Sequence, residues 1–344
     1  SLTEAIALAR AAGFAGLGFD VRAAARAIDE DGLDAVRERF ARAGVRPALW
    51  YLPVAWRDDG QWESDLRELP RLAAAARDMG APRTTTYMFS GSDERPFDEN
   101  FAWHVARFRP IAEILRDEGC RFGIEFIGPK TFRANFRHEF IYTLEGMMDL
   151  IAAIGVDDVG LLLDSWHLFA SGGTLADLDR LTNRDIVVIH VNDAPAGIAW
   201  DEQIDTVRTL PMETGVIDLA GFMRKLEKLG YDGPVMPEPF SQRLVDIAAT
   251  DPLAAAREAS RAMDAMWRAS GLDDSRGAWV VSREGDERGT PRGGRRGRRP
   301  YGPPSHLTHA PRLTTRPRET SHADRRPPRV WRALHGQREL AAAG

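Results

Sequence analysis

Seven short apolar runs, at residues 16–21, 47–54, 83–89, 122–127, 159–164, 186–191 and 234–238, punctuate the first 270 residues. Most lack a clean two-residue alternation, as strands covered on both faces do. Between them lie amphipathic stretches with a helical period, at 32–43, 64–79, 101–118, 143–154, 175–181, 219–229 and 252–269, and another starts at Ser1. Gly44, Gly80, Gly119, Gly155 and Gly230 follow five of these, where a helix C-cap needs a residue that tolerates positive φ. Repeated βα units of this kind build a parallel sheet. Seven strands, with a helix already running at Ser1, predict an α/β protein: a (β/α)₈ TIM barrel lacking its first strand in this chain, that strand lying upstream. The other parallel architecture, an open doubly wound sheet, would need a Gly-rich phosphate fingerprint to bind a dinucleotide, and none follows any strand.

With 43% hydrophobic residues among 344, the chain has ample material for such a core. From residue 271 the composition changes: 16 Arg stand against 8 acids, eight prolines interrupt any periodic pattern, and Lys, Ile, Phe and Met are absent. Such a segment cannot build a core. The expected organisation is a TIM barrel over 1–270 and a low-complexity, disordered basic tail over 271–344. The Arg-rich run 291–299 has the form of a nucleic-acid arm. A solvated tail, or coding sequence read out of frame, accounts for the same composition and is preferred. The first 270 residues hold 30 basic and 43 acidic side chains, a net charge of −13 that repels phosphate. Cys120 stands alone, no apolar run approaches the roughly 18–20 residues of a membrane span, and no secretion signal opens the chain. A soluble cytoplasmic protein is expected.

In a parallel barrel the reactive groups come from the C-terminal ends of the strands. Four side chains stand out there: Glu125, Asp164, His190 and Glu238, each inside or closing an apolar run. An unpaired charge in that setting costs several kcal/mol. One such carboxylate would be read as a helix cap or an arginine partner; four on four successive strands call for a shared compensating charge. One imidazole cannot offset three carboxylates, but a divalent cation can. Three carboxylates and an imidazole suit a moderately hard ion, Mn²⁺ first, then Mg²⁺, Co²⁺ or Zn²⁺. His167, three residues past Asp164, is expected on the loop beyond the metal. His104 falls in a helical stretch and is expected to be solvated, while His138 is a loop residue without an assigned role.

Four segments then carry a family likeness: Gly123-Ile124-Glu125-Phe126-Ile127-Gly128; Gly160-Leu161-Leu162-Leu163-Asp164-Ser165-Trp166-His167; Ile189-His190-Val191-Asn192-Asp193; and Arg208-Thr209-Leu210-Pro211-Met212-Glu213-Thr214-Gly215-Val216-Ile217-Asp218. They resemble the xylose-isomerase-like TIM-barrel superfamily, and within it the sugar phosphate isomerase/epimerase proteins of the inosose (2-keto-myo-inositol) isomerase type. The resemblance implies a divalent metal bound by Glu125, Asp164, His190 and Glu238. It implies Glu125 and Glu238 as acid and base, His167 on a substrate oxygen, and Arg208 on a substrate hydroxyl or carbonyl. Two departures stand out: the first strand is absent, and Met212 and Thr214 occupy places where related loops often read Gly-Glu-Gly or Gly-Gln-Gly.

The residues point to proton abstraction next to a carbonyl, which needs a base and a stabilised cis-enediolate. An isomerase or epimerase of a keto-sugar or keto-cyclitol is the expected activity. Candidate walls for a small polyol are Trp50, Tyr51, Trp56, Tyr87, Trp166 and Trp200, with Trp50 and Trp166 preferred because they lie at or just past strand ends. Asn192 and Asp193 are expected to orient His190, and Lys130 to be solvated. The rivals are a dehydratase on the same scaffold, acting on inosose or dehydroshikimate, and an inactive barrel remnant. An abasic-site endonuclease is disfavoured, since two usable His cannot supply the several metals that class employs. No membrane or nucleic-acid partner is expected, and a homo-oligomer is left open.

Overall fold

A computed structural model of the chain describes residues 1–272. The basic tail expected at 271–344 lies, beyond Leu272, outside the described residues. Seven parallel strands form the sheet: β1 (Gly16–Phe19), β2 (Arg46–Tyr51), β3 (Arg83–Met88), β4 (Arg121–Phe126), β5 (Val159–Asp164), β6 (Ile186–Val191) and β7 (Val235–Pro237). Their spatial order is their sequence order, the hallmark of repeated βα units winding in one direction.

Besides a single helical turn at Lys130–Arg133, the helices are α1 (Leu2–Ala12), α2 (Val21–Asp31), α3 (Leu33–Ala43), α4 (Asp59–Asp78), α5 (Phe97–Asp117), α6 (Leu144–Ile154), α7 (Ser165–Ala170), α8 (Leu219–Lys228), α9 (Gln242–Ala248) and α10 (Pro252–Ser270). The five glycines read as helix ends all take positive φ, from 64° to 92°. Residues 175–181, expected to be helical, form a 3₁₀ helix at Leu175–Arg180. Between β1 and β2 the sequence suggested one helix, and the fold contains two. Asp20 ends β1 early, because its carboxylate accepts from the Ala23 amide at 2.7 Å and so caps α2, whose alanine-rich sequence favours the helix.

Side chains alternate across each strand, and this parity builds two cores. Trp50, Phe122, Ile124, Leu161, Leu163 and Ile189 face the helices, in the large cluster that also holds Leu69, Leu72, Phe108 and Ile111. Leu49, Leu162 and Val188 face inward and, with Val187 at the register break between β5 and β6, form a small separate cluster, against which Met236 packs. This plug fills the centre of the sheet. Above it, at the C-terminal ends, the inward positions pass to polar residues, and strand pairing sets Asp164 beside His190 and His190 beside Met236.

Each of β1 and β7 pairs on one side only, with β2 and β6 respectively, so the sheet has two edges. Between them lies a cavity of about 610 Å³, lined by Gly16 and Gly18 of β1, by Pro234–Pro237, and by Leu8, Ala256 and Met263 of the covering helices α1 and α10. His104 departs from expectation: it is buried on the inner side of α5 rather than solvated. Its ring stacks on Phe140 at 4.7 Å, and Nδ1 lies 2.7 Å from the Asn100 carbonyl, to which it donates. Burial pulls its pKa down to about 4. His138 belongs to a two-residue ribbon, Gly91–Ser92 against His138–Glu139. Among the described residues no helix is long and apolar enough to cross a membrane.

Candidate metal centre

Glu125, Asp164 and His190 occupy inward positions at the ends of β4, β5 and β6, and Glu238 follows β7. Each offers one ligand atom, and the four atoms all lie within 4.8 Å of one another. The first three side chains are at most 5% exposed and Glu238 is half-buried. His190 Nδ1 stands 3.7 Å from both Glu125 Oε1 and Glu238 Oε2. These contacts are too long for hydrogen bonds, and Glu125 Oε1 and both His190 nitrogens have no partner in the protein. Buried donor atoms left unpaired and turned toward one another fit a divalent cation.

Charge tells the same story. Burial, then the neighbouring Glu238 charge, drives the Glu125 carboxyl well above its ordinary range. Burial alone would lower the His190 pKa, but Glu238, Glu125 and Asp164 outweigh it and hold it at about 9. Without a cation the cluster therefore neutralises itself with protons, which a metal would displace.

The structure adds a cation that sequence reasoning placed only as a substrate contact. Arg208, from the long loop after β6, is buried with Nη1 donating to Asp164 Oδ2 at 2.8 Å and to Glu238 Oε2 at 2.9 Å. Its Nε donates to the Asp205 carbonyl and its Nη2 to Asp205 Oδ1, both at 2.8 Å. The guanidinium lies 4.5 Å from the Trp166 ring and 4.9 Å from that of Phe240. Burial would weaken its charge, but the surrounding carboxylates raise its pKa further, so it stays ionised. Arg208 brings a fourth acid with it: once the cluster's protons are displaced, Glu125, Asp164, Asp205 and Glu238 against one guanidinium leave three negative charges. A dication remains the natural complement.

His167 is fully buried beside this network. The Gly128 amide donates to its Nδ1 at 3.2 Å, and Arg208 Nη2 lies 3.1 Å from its Nε2. Burial, then the Arg208 charge, lowers its pKa to about 4, so the ring is neutral. A Cβ at position 128 would sit 2.1 Å from the His167 carbonyl oxygen, so only glycine permits this approach of the two loops.

Other expected residues part company. Trp166 supports Arg208 from below, whereas Trp50, on the outward parity of β2, is buried among the helices with Nε1 donating to the Ala81 carbonyl at 3.0 Å. Its neighbour Tyr51 faces the site instead. Tyr51 is 40% exposed overall; its phenol is nevertheless pushed up to about 12, by desolvation and then by Glu238 and Glu125. Trp56 is core, donating to Thr86 Oγ1, and Tyr87 lies against Arg57. Trp200 is exposed on the loop after β6. Lys130 is exposed and pairs with Asp201 at 3.2 Å. Asn192 Oδ1 accepts from the Glu238 amide and so steadies that ligand rather than His190. Asp193 accepts from the amides of Thr214, Gly215 and Ile217, anchoring the loop that follows Arg208. In that loop Met212 takes a φ of 68°, in the left-handed region that non-glycine residues seldom adopt.

Sequence comparison now bears on this geometry: residues 6–266 match the family described as the xylose isomerase-like TIM barrel. The chain belongs to that family. Inosose isomerase of Bacillus velezensis is 28% identical over 156 residues, 44% of this chain and 51% of that protein, so the chain spans about half the length of this relative. A xylose isomerase domain protein from Alicyclobacillus acidocaldarius is 28% identical, with a TM-score of 0.68 over 79% of this chain and 95% of that one. The IOLI protein, whose crystal structure holds a zinc atom, is 19% identical and similar in fold, with a TM-score of 0.62 over 78% of this chain and 94% of that one. The chain thus joins this fold family to a Glu/Asp/His/Glu candidate metal site.

Proposed function

We propose that the protein is a divalent-metal-dependent isomerase or epimerase that moves a proton next to the carbonyl of a keto-sugar or keto-cyclitol. The convergence of Glu125, Asp164, His190 and Glu238 within 4.8 Å carries this reading. A bound dication would polarise the substrate carbonyl and stabilise negative charge on its oxygen. Mn²⁺ is favoured by the three-carboxylate, one-imidazole donor set, and zinc by its presence in the IOLI protein.

The chain's own residues do the rest. Glu125 and Glu238 come from strands on either side of the cluster, and one removes the proton from the hydroxyl-bearing carbon. Return of that proton to the adjacent carbon, with the hydroxyl proton passing to the former carbonyl oxygen, moves the carbonyl; delivery of a proton to the same carbon by the opposite carboxylic acid, while the first carboxylate keeps the one it took, inverts that centre. His167 and Arg208 are the contacts for substrate oxygens, held in place by Gly128 and by Trp166. Tyr51 forms a wall beside the two carboxylates. Inosose is the first substrate to try, on the likeness to inosose isomerase.

The test is metal analysis of the purified chain and its Glu238→Gln variant, followed by solvent-deuterium exchange into recovered keto-polyols. One divalent ion per chain, and exchange that Glu238→Gln abolishes, are expected. Formation of an unsaturated product would instead identify a dehydratase, and metal binding without exchange on any keto-polyol would identify an inactive relative.

A further inference from the structure

We propose that Asp205 is a positioning residue that limits how strongly Arg208 competes with a metal ion for Asp164 and Glu238; this rests on the metal-dependent reading above. Arg208 Nη1 alone touches both ligand carboxylates, at 2.8 and 2.9 Å. A guanidinium is a planar fork with its N–H groups in fixed directions, so whatever holds two of its nitrogens dictates where the third can point. Asp205 holds those two, Nε through its backbone carbonyl and Nη2 through its carboxylate, both at 2.8 Å. The rings of Trp166 and Phe240 fix the plane, and the Arg208 amide donates to the Phe240 carbonyl at 2.9 Å, tying this loop to the segment after β7.

Asp205 is 5% exposed, so its charge is weakly screened and draws Arg208 charge toward itself. Remove that carboxylate and Nη2 keeps only its 3.1 Å contact with His167 Nε2. The guanidinium then settles more fully on Asp164 and Glu238, occupying lone pairs that a cation needs. Asp205 thus acts through Arg208, unlike Glu125, Asp164, His190 and Glu238, whose own atoms form the cluster.

The experiment measures Mn²⁺ binding by titration calorimetry on the full chain after chelator treatment, for the parent, Asp205→Asn, Arg208→Met and the double variant. Asp205→Ser replaces Asp205→Asn throughout if the latter loses the parent's circular dichroism, since both lack the carboxylate. Removing Asp205 is expected to weaken Mn²⁺ binding by about 10–100-fold in the parent. In the Arg208→Met background it should change binding by no more than about twofold, within ordinary additivity. Asp205→Glu, which keeps the charge, should regain most of the affinity. An equal loss in both backgrounds would mean that Asp205 acts as a bare charge, and no loss in the parent would mean that it does not act on the site; either overturns the proposal while leaving the metal reading intact. A parent chain that binds no Mn²⁺ overturns both.

Discussion

The mouth of the sheet and its seam are made from the same set of strands and follow opposite rules. At the mouth, the ends of β4, β5 and β6 and the residue after β7 turn polar groups inward, and Arg208 ties two of them together. At the seam, β1 and β7 each pair on one side only, and an apolar cavity of about 610 Å³ separates them. The mouth is crowded with interactions that hold specific atoms in place at a cost in stability; the seam has room and little specificity. Function and cohesion are thus sited apart, and each can be perturbed without the other.

The largest effect should follow from breaking the mouth. Arg208→Met leaves buried Asp164 and Asp205 without their cation and is expected to cost the metal-free protein about 3–5 kcal/mol in urea unfolding. Adding Mn²⁺ should restore part of the loss, because a ligand that binds only the folded state stabilises it.

Acidity sharpens the contrast next. His190 at about 9 lies above its ordinary 6.5, so in the metal-free protein its stabilisation is complete below pH 6.5 and is lost as pH rises through 9. His104 at about 4 lies below 6.5, so its contribution is present above pH 6.5 and is lost as pH falls toward 4. Each amounts to about 3 kcal/mol across its window. Unfolding measured from pH 4 to 9 should show both limbs; Mn²⁺ should flatten the alkaline one, and His104→Phe should weaken the acid one. Mn²⁺ affinity itself should climb toward pH 9, since the cation must displace the His190 proton.

The smallest effect belongs to the seam. Ala256→Leu projects a larger apolar side chain toward the cavity and is expected to raise stability by about 1 kcal/mol. A loss comparable to that of Arg208→Met would show that the seam is as tightly specified as the mouth.

Much of this was legible in the sequence, for a definite reason. Strand ends are marked by apolar runs that stop at a charged residue, and Asp164 and His190 are the inward members of β5 and β6 just above Leu162 and Val188. Parity also explains the failure at Trp50: an indole at a strand end looks like a pocket wall, but one step along β2 turns it outward and turns Tyr51 in. Asp205 and the bridging role of Arg208 were hidden, since a loop gives no period from which to infer direction. The Asp-x-x-Arg spacing of Asp205 and Arg208 was the one available signal. His104 was misplaced because a helix surrounded by aromatic neighbours can bury a polar ring that its own period does not mark as inward.

Gly128 has a consequence for how this protein can vary. Every replacement there introduces a carbon into the space of the His167 carbonyl, which also accepts the Ser171 amide in closing α7. A variant at this codon must therefore spread two neighbouring loops and tilt a short helix before any polar group is altered, so the lineage can diversify around position 128 far more easily than at it.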